Sequence, residues 1–535
     1  MQTKYIVVLG SLLSGLGKGI VTSSIAKILS FYGYNALPMK FDGYLNYDCG
    51  TMNPFRHGEV FVLDDKSEVD MDFGNYERFL DRDLTGDFSL TGGKVFGAVL
   101  TKERMGDYLG SDVQFIPHVT DYIIGQIEKT SKNYALEVML IEVGGTVGDI
   151  ESSYFVEAMR QLSLKNRTVF VNVTYVPNLS AVGEQKTKPT QLALRSMMQM
   201  GIRPDFIICR SESQISEDAR SKIANFANLP KERVLDDHDM RSIYELPTHL
   251  MDQKFDSQLL SALGYVKTRI NATKLDAWNG RIAKADPESR KKVGITIVGK
   301  YTNLHDSYVS LKESLVHAAA ENRVGLEIDW LESEGLEGVG PERIESMLDG
   351  SDGIIVPGGF GTRGIEGMIN AIEYARTNRV PYLGLCLGMQ LMSIEFARNV
   401  CGLDGANSTE FNKNARYKII KLMDDQKIIK YKGGTMRLGS WPAKIKKGTM
   451  SYAAYGKDLV YERHRHRYEF NNAYRDRLEA AGLVISATTP NNMLVEMIEW
   501  KDSFGIGTQA HPELKSRFEK PSPLFVSFVR AALGK

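Results

Sequence analysis

The chain has 535 residues, too many for one hydrophobic core at roughly 100–200 residues per domain, and its 43% apolar and 25% charged content is that of a globular protein. Its 66 Lys and Arg balance 66 Asp and Glu, a formal net charge of +0 that argues against a nucleic-acid polymer or an anionic membrane as the main partner, and against a disordered chain. Cysteines 49, 209, 386 and 401 make neither a C-x-x-C pair nor a disulfide framework, no signal-peptide layout precedes the first strand, and no apolar run reaches the ~18–20 residues of a membrane span, so a cytoplasmic location is expected.

In chain order, Tyr5 to Leu9 reads as a buried strand and Val21, Ile25, Ile28, Leu29 and Tyr32 keep the spacing of one helix face. Between them lies Ser14-Gly15-Leu16-Gly17-Lys18-Gly19. Backbone N–H groups and a helix dipole there suit a phosphate that a lysine can reach; a plain glycine-rich turn is the alternative. The loop is not the strict G-x-x-x-x-G-K-[ST] pattern, because Leu12 and Gly19 stand at two of its fixed positions. Asp72 and Glu142 stand where strands should end. Burying such an acid is costly without a cation or a lysine, so either a magnesium ligand or a paired loop acid is expected. Lys186-Thr-Lys188-Pro-Thr-Gln191 packs two cations and several donors into a loop that fits a polyphosphate, or a solvated surface. Asn271 to Lys292 is polar and lacks a sustained apolar face, so we read 271–292 as the linker between domains 1–270 and 293–535. Aliphatic strands alternate with helical segments on both sides of it, which predicts α/β domains with mainly parallel sheets flanked by helices.

In the second domain, Gly384-Leu385-Cys386-Leu387-Gly388 follows a strand and precedes a helix. Small flanking residues permit a sharp turn that presents a nucleophile, and the helix N-terminus favours a thiolate; a buried structural cysteine is the alternative. Gly505-Ile-Gly-Thr-Gln-Ala-His511-Pro512-Glu513 supplies the His a thiolate needs and the acid that orients it. Pro357-Gly-Gly359-Phe-Gly361 offers open backbone N–H groups for an oxyanion, with Leu387 N–H as second donor. Arg463-His-Arg-His-Arg467 reads as a solvated strand face or, with His511, as a weak zinc set.

These three pieces together resemble the triad glutamine amidotransferases, which release ammonia from glutamine through a thioester. That resemblance implies that Gly388, Met389, Gln390 and Glu410 help hold the glutamine and that Arg467 meets its α-carboxylate. Over nearly the whole chain the motifs resemble the CTP synthase family, carried by 14–19, Gly50-Thr-Met-Asn-Pro54, His57 to Asp65, Asn75 to Phe79, 141–152, 186–191, 358–361, 384–390, Gly434 to Gly439 and 511–513. The family fold implied is a P-loop NTPase-like N-terminal domain fused to a class I amidotransferase-like one. The implied activity is ATP-dependent amination of UTP to CTP. ATP would meet Gly15, Leu16, Gly17, Lys18, Gly19, Ile20, Lys40, Asp72, His238, Asp239 and Met240, with Asp72 and Glu142 on Mg2+. UTP, or CTP as feedback inhibitor, would meet Ser14, Asp149, Ile150, Glu151, Lys186, Thr187, Lys188, Pro189, Thr190, Gln191 and Lys222. The resemblance also implies GTP activation through Arg363 and a homotetramer. The family usually has a second serine where Gly15 stands, and a lysine where Ser111 stands. Two rivals remain in view: an amidotransferase that aminates a carboxylate, and an assembly protein whose centres have lapsed.

Overall fold

A computed structural model describes residues 2–11, 13, 15–179, 183–265, 269–285, 291–422 and 436–534, so Ser14, Gly434 and Thr435 lie outside the described residues. The chain forms two compact units, one of residues 1–48 with 75–282 and one of 49–74 with 283–535.

The first unit is built on strands β1 (Lys4–Gly10), β2 (Ala36–Asp42), β3 (Ser89–Thr91), β4 (Val138–Val143), β5 (Thr168–Tyr175), β6 (Phe206–Ser211) and β7 (Val234–His238). They lie in the order β7-β6-β5-β1-β4-β2-β3, every pair parallel. Both faces are covered, so β2 and β4 are buried at every position and read as continuous runs rather than alternating ones. Helix α1 (Lys18–Phe31) buries Val21, Ile25, Ile28 and Leu29 against Ile6 and Val8 of β1. Around the sheet stand α2 (Asp72–Leu80), α3 (Gly92–Met105), α4 (Ile150–Lys165), α5 (Lys188–Gln199), α6 (Glu217–Ala227) and α7 (Leu246–Asp252).

The first part of the expected linker is instead helix α8 (Ala272–Lys284). Its one buried residue is Trp278, which donates to Tyr244 O at 3.0 Å and packs edge-on against Phe31, while Asn279 accepts from Thr248 hydroxyl at 2.9 Å. One large anchor leaves no apolar stripe in the sequence, which is why the segment reads as polar.

The second unit has a nine-stranded sheet of β8 (Lys292–Gly299), β9 (Gly325–Glu332), β10 (Gly353–Val356), β11 (Tyr382–Leu385), β12 (Arg437–Ile445), β13 (Leu459–His466), β14 (Val484–Thr488), β15 (Val495–Glu499) and β16 (Gly505–Thr508), in the order β9-β8-β10-β11-β16-β15-β14-β12-β13. The first five of that order are parallel and the rest run antiparallel. Period-two alternation divides the core: Ile354 and Val356 enter the cluster on one face, Ile355 that on the other. Helices α9 (Val309–Asn322), α10 (Ile365–Thr377), α11 (Leu387–Asn399) and α12 (Pro523–Leu533) complete it.

Residues 49–74, which in sequence lie between β2 and the body of α2, pack on this second unit. Asp64 takes both Arg463 (2.5 Å) and Lys515 (3.1 Å), Glu68 takes Arg465 at 2.8 Å, and Ser310 hydroxyl donates to Glu59. Among the described residues no helix is long and apolar enough to cross a membrane.

Candidate active site

Parallel strands β10, β11 and β16 are neighbours, so the loops after them leave one edge of the sheet together, the usual place for a ligand in an α/β fold. Cys386 follows β11 and caps α11 with φ 49° and ψ −95°, a strained conformation for a residue with a Cβ. The neighbours make the turn feasible only as glycines. A Cβ on Gly388 would lie 2.1 Å from Val356 O, and one on Gly384 would lie 2.7 Å from the Gly388 carbonyl carbon. Leu387 is the first residue of α11, so its N–H has no intrahelical acceptor. A Cβ on Gly359 would come within 3.4 Å of the Leu387 side chain, so the loop after β10 and the start of α11 are neighbours.

His511 follows β16. Its Nδ1 is 2.7 Å from Glu513 Oε1, its Nε2 is buried without a hydrogen bond, and its N–H donates to Arg463 O at 2.7 Å. Burial alone would depress the imidazole, but the negative charges of Glu513 and of the Cys386 sulfur outweigh it and push the ring up to about 10. The triad opens on a cavity lined also by Gly359 and, from the 49–74 segment, by Pro54, Glu59 and Val60. Gln390 is buried and donates through Nε2 to Tyr468 O (3.0 Å) and Gln509 Oε1 (3.3 Å). Glu410 accepts from Gly361 N–H at 3.1 Å; its burial raises the carboxyl, opposed by that N–H and by Lys300. Lys300 is itself buried and pulled down to about 8, its Nζ hydrogen-bonded to the carbonyls of Phe360 and Gly361. Arg363 is already satisfied by Glu332 (2.8 Å), Glu334 (3.0 Å) and Lys300 O. Arg467 is half-buried at the end of β13.

The Arg463 to Arg467 run is not a solvated face. Arg463 and Arg465 pair with the 49–74 segment, while His464 and His466 point the other way, into a buried set with Arg437, Glu469 and Glu496. Burial, with the charge of Arg437, holds both rings well below the ordinary imidazole range, so they are neutral. His464 Nδ1 lies 2.9 Å from His466 Nε2, which leaves neither of those atoms for zinc.

In the first unit, Gly17 (φ 81°) caps α1 in the left-handed region that its sequence position requires, and Lys18 Nζ donates to Gly145 O at 2.8 Å. Lys40 and Glu142 are register partners on β2 and β4; Nζ and Oε1 are 3.0 Å apart, both side chains are buried, and Tyr76 hydroxyl donates to Glu142 Oε2 at 2.5 Å. Lys40 gives the buried Glu142 a cationic partner. Asp72 opens α2. Asp149 caps α4 and accepts from Thr146 N–H and hydroxyl at 2.9 and 2.8 Å; Ile150 and Glu151 are exposed beside it. Thr187 caps α5, Pro189 sits in its first turn, Thr190 hydroxyl donates to Tyr175 O, and Gln191 donates to Thr187 hydroxyl. Lys186 pairs with Glu184 (2.6 Å) and Lys222 with Asp218 (2.5 Å); Glu184 also feels Lys222, so the two lysines share one charged surface. His238 and His249 both bond Asp236 Oδ2, at 2.5 and 3.1 Å, Asp239 pairs with Arg210, and Met240 packs on the core.

Residues 4–265 match the family model described as CTP synthase N-terminus, and residues 303–531 that described as glutamine amidotransferase class-I. A CTP synthase of Caldanaerobacter subterraneus subsp. tengcongensis is 48% identical over 537 residues, covering 100% of this chain and 99% of the relative. One of Pyrococcus furiosus is 50% identical over 536 residues, covering 99% and 98%. The chain belongs to the CTP synthase family. Its reaction is the glutamine-dependent conversion of UTP to CTP, with ATP and glutamine as co-substrates. Among solved structures, the glutaminase domain of Trypanosoma brucei CTPS with bound acivicin is 41% identical, covers 45% of this chain and 94% of its own, and has a TM-score of 0.43.

The structure brings Cys386, His511, Glu513, Gly359 and Leu387 to one sheet edge and Lys40 to Glu142. Sequence reasoning missed Lys300, the 49–74 wall of the cavity and Gln509, whose side chain reaches the Cys386 sulfur. Gln509 lies inside the very motif that pointed to His511; the residue two positions before the histidine was the available signal.

Proposed function

We propose that Cys386 is the nucleophile that makes the ammonia, and that Lys18 and Lys40 serve the phosphoryl transfer that uses it. The first part is supported above all by the strained Cys386 turn beside a His511–Glu513 pair on the adjacent parallel strand. Cys386 Sγ attacks the side-chain carbonyl carbon of glutamine, and the N–H groups of Gly359 and Leu387 take the oxyanion. The C–N bond breaks as His511 gives its proton to the leaving nitrogen, releasing ammonia and leaving a γ-glutamyl thioester. His511 then takes a proton from water, whose attack frees glutamate and Cys386. Glu410, Gln390 and Arg467 hold the substrate, with Gly388 and Met389 in the wall.

UTP O4 attacks the γ-phosphorus of ATP with ADP leaving; ammonia adds at C4 and phosphate departs, giving CTP. Lys18 and Lys40 neutralise the transferring group, with Gly15 to Ile20 around the phosphates and 238–240 near the base. Glu142 fits a magnesium ligand by donor chemistry, a buried carboxylate of hard oxygens whose present counter-charge is Lys40, and Asp72 would join it. Mg2+, when bound, would screen the phosphate charge. UTP, and CTP as inhibitor, would exchange places with Glu184 and Asp218 on Lys186 and Lys222, beside 187–191, with Ser14 and 149–151 completing the site. GTP would activate through Arg363 by taking over from Glu332 and Glu334. Self-association to a homotetramer is supported by exposed Leu100 and Met105 on α3, Leu109 in the turn after it, and Phe115 and Ile116 at the start of the next helical segment. A cytoplasmic setting suits four free cysteines, of which Cys209 is buried with its thiol pushed up by burial.

The test is Cys386→Ala assayed for CTP with each nitrogen source. Loss of glutamine-dependent synthesis with ammonia-dependent synthesis retained supports the assignment; retained glutamine use overturns it.

A further inference from the structure

We infer that Gln509 is a further catalytic residue of the glutamine-hydrolysing centre: its side-chain amide donates to the Cys386 sulfur and supports the thiolate. The inference rests on the reading of Cys386 as nucleophile. Gln509 is fully buried, and its Nε2 lies 3.6 Å from Cys386 Sγ, within range of a hydrogen bond to sulfur. Its backbone is fixed from two sides, since Gln509 N–H donates to Glu496 O at 2.9 Å and the preceding Thr508 O accepts from Cys386 N–H at 2.7 Å.

An amide can present either its oxygen or its NH2 to a neighbour, so a chain of partners must decide which faces the sulfur. Tyr468 O can only accept. It takes Gln390 Nε2 at 3.0 Å and His466 Nδ1 at 3.1 Å, so both are donors there. Gln390 Nε2 then gives its other hydrogen to Gln509 Oε1 at 3.3 Å. With its oxygen committed to Gln390, Gln509 can only turn its NH2 toward sulfur. The neutral His466 behind Tyr468 donates through Nδ1 and so accepts at Nε2 from His464. The buried histidines of the Arg463 to Arg467 run thereby anchor the far end of a chain that begins at the nucleophile.

A donor amide stabilises a sulfur anion and does nothing comparable for a thiol, so Gln509 favours the reactive form and holds Sγ in place. Two variants separate this from packing. Gln509→Met keeps volume and removes the donor; Gln390→Met leaves Gln509 intact and removes what orients it. Each is assayed for glutamine-dependent CTP synthesis and for iodoacetamide alkylation of Cys386 against pH, the label located by peptide mapping, with the circular dichroism spectrum compared to wild type. For Gln509→Met we expect kcat with glutamine lowered roughly 10- to 100-fold, the worth of a hydrogen bond to a charged partner, ammonia-dependent synthesis retained, and the alkylation profile displaced to higher pH. Gln390→Met should move the profile the same way by less. A Gln509→Met protein with wild-type kcat and profile overturns the proposal. If that protein does not fold, an undisplaced profile in Gln390→Met overturns it instead. A wild-type label that maps to Cys49, Cys209 or Cys401 while Cys386 stays unlabelled defeats the nucleophile reading beneath it, whatever the Gln509 variants do.

Discussion

The candidate phosphate-binding cations of the first unit and the candidate nucleophile of the second are held in different ways. In the second unit, the candidate residues Cys386, His511 and Glu513 are held by the fold itself: a strained turn with glycines at 384 and 388, and a 2.7 Å His–Glu bond. In the first unit each candidate phosphate ligand is occupied by the protein itself, Lys18 by Gly145 O, Lys40 by Glu142, Lys186 by Glu184 and Lys222 by Asp218. A covalent catalyst can be preorganised because its nucleophile is its own. A polyanion site has cations that need counter-charges until the ligand arrives, and exposed pairs such as Lys186–Glu184 are weak enough to exchange.

The largest effect should come from breaking the preorganised side. His511→Ala should lower glutamine-dependent synthesis by roughly 10²–10⁴-fold, the span of general acid–base catalysis, and leave ammonia-dependent synthesis intact. Next, Lys40→Ala should lower CTP formation from either nitrogen source by roughly 10²–10³-fold. It also strands a buried carboxylate, so it should cost about 3–5 kcal/mol in unfolding free energy, read by denaturant melts. An equal loss of ammonia-dependent synthesis in both variants would erase the distinction between the units. Lys186→Ala should raise the UTP KM about tenfold, one lost charge-assisted contact, with an unchanged melting temperature; a shifted melting temperature would mean the pair is structural.

The smallest effect is in pH. His511 in the folded state is held at about 10, above the ordinary 6.5, so its contribution to stability is full below 6.5 and lost as pH rises through about 10. The melting-temperature difference between wild type and His511→Gln should therefore shrink across that window. A difference that grows would reverse the sign of the His511 interactions.

The same contrast governs what could be read from sequence. The Gly384 to Gly388 turn was legible because the residues that make it, Gly384, Cys386 and Gly388, fall within five positions, although the press of Val356 on Gly388 is a tertiary contact. The Lys40–Glu142 pair was not, because it is set by strand register between residues far apart in the chain. Nor does chain order reveal that 49–74 leaves its neighbours to wall the Cys386 cavity; Asp64 and Glu68 look like any loop acids until Arg463 and Arg465 meet them. The alternating Arg and His of β13 marked a strand, but both of its faces are engaged, which alternation alone cannot tell. Trp278 carried the start of the linker into a helix by one contact set. The parallel character of the second sheet was legible in its aliphatic strands, while the antiparallel strands β12 to β15 carry more mixed sequence.

The central claim is that Cys386 forms the covalent intermediate in an already complete site. Wild-type protein turning over glutamine is quenched in acid, and the peptides bearing each cysteine are weighed by mass spectrometry. A γ-glutamyl adduct on the Cys386 peptide is the predicted result. A Cys386 peptide of unchanged mass with the adduct on Cys49, Cys209 or Cys401 would contradict it.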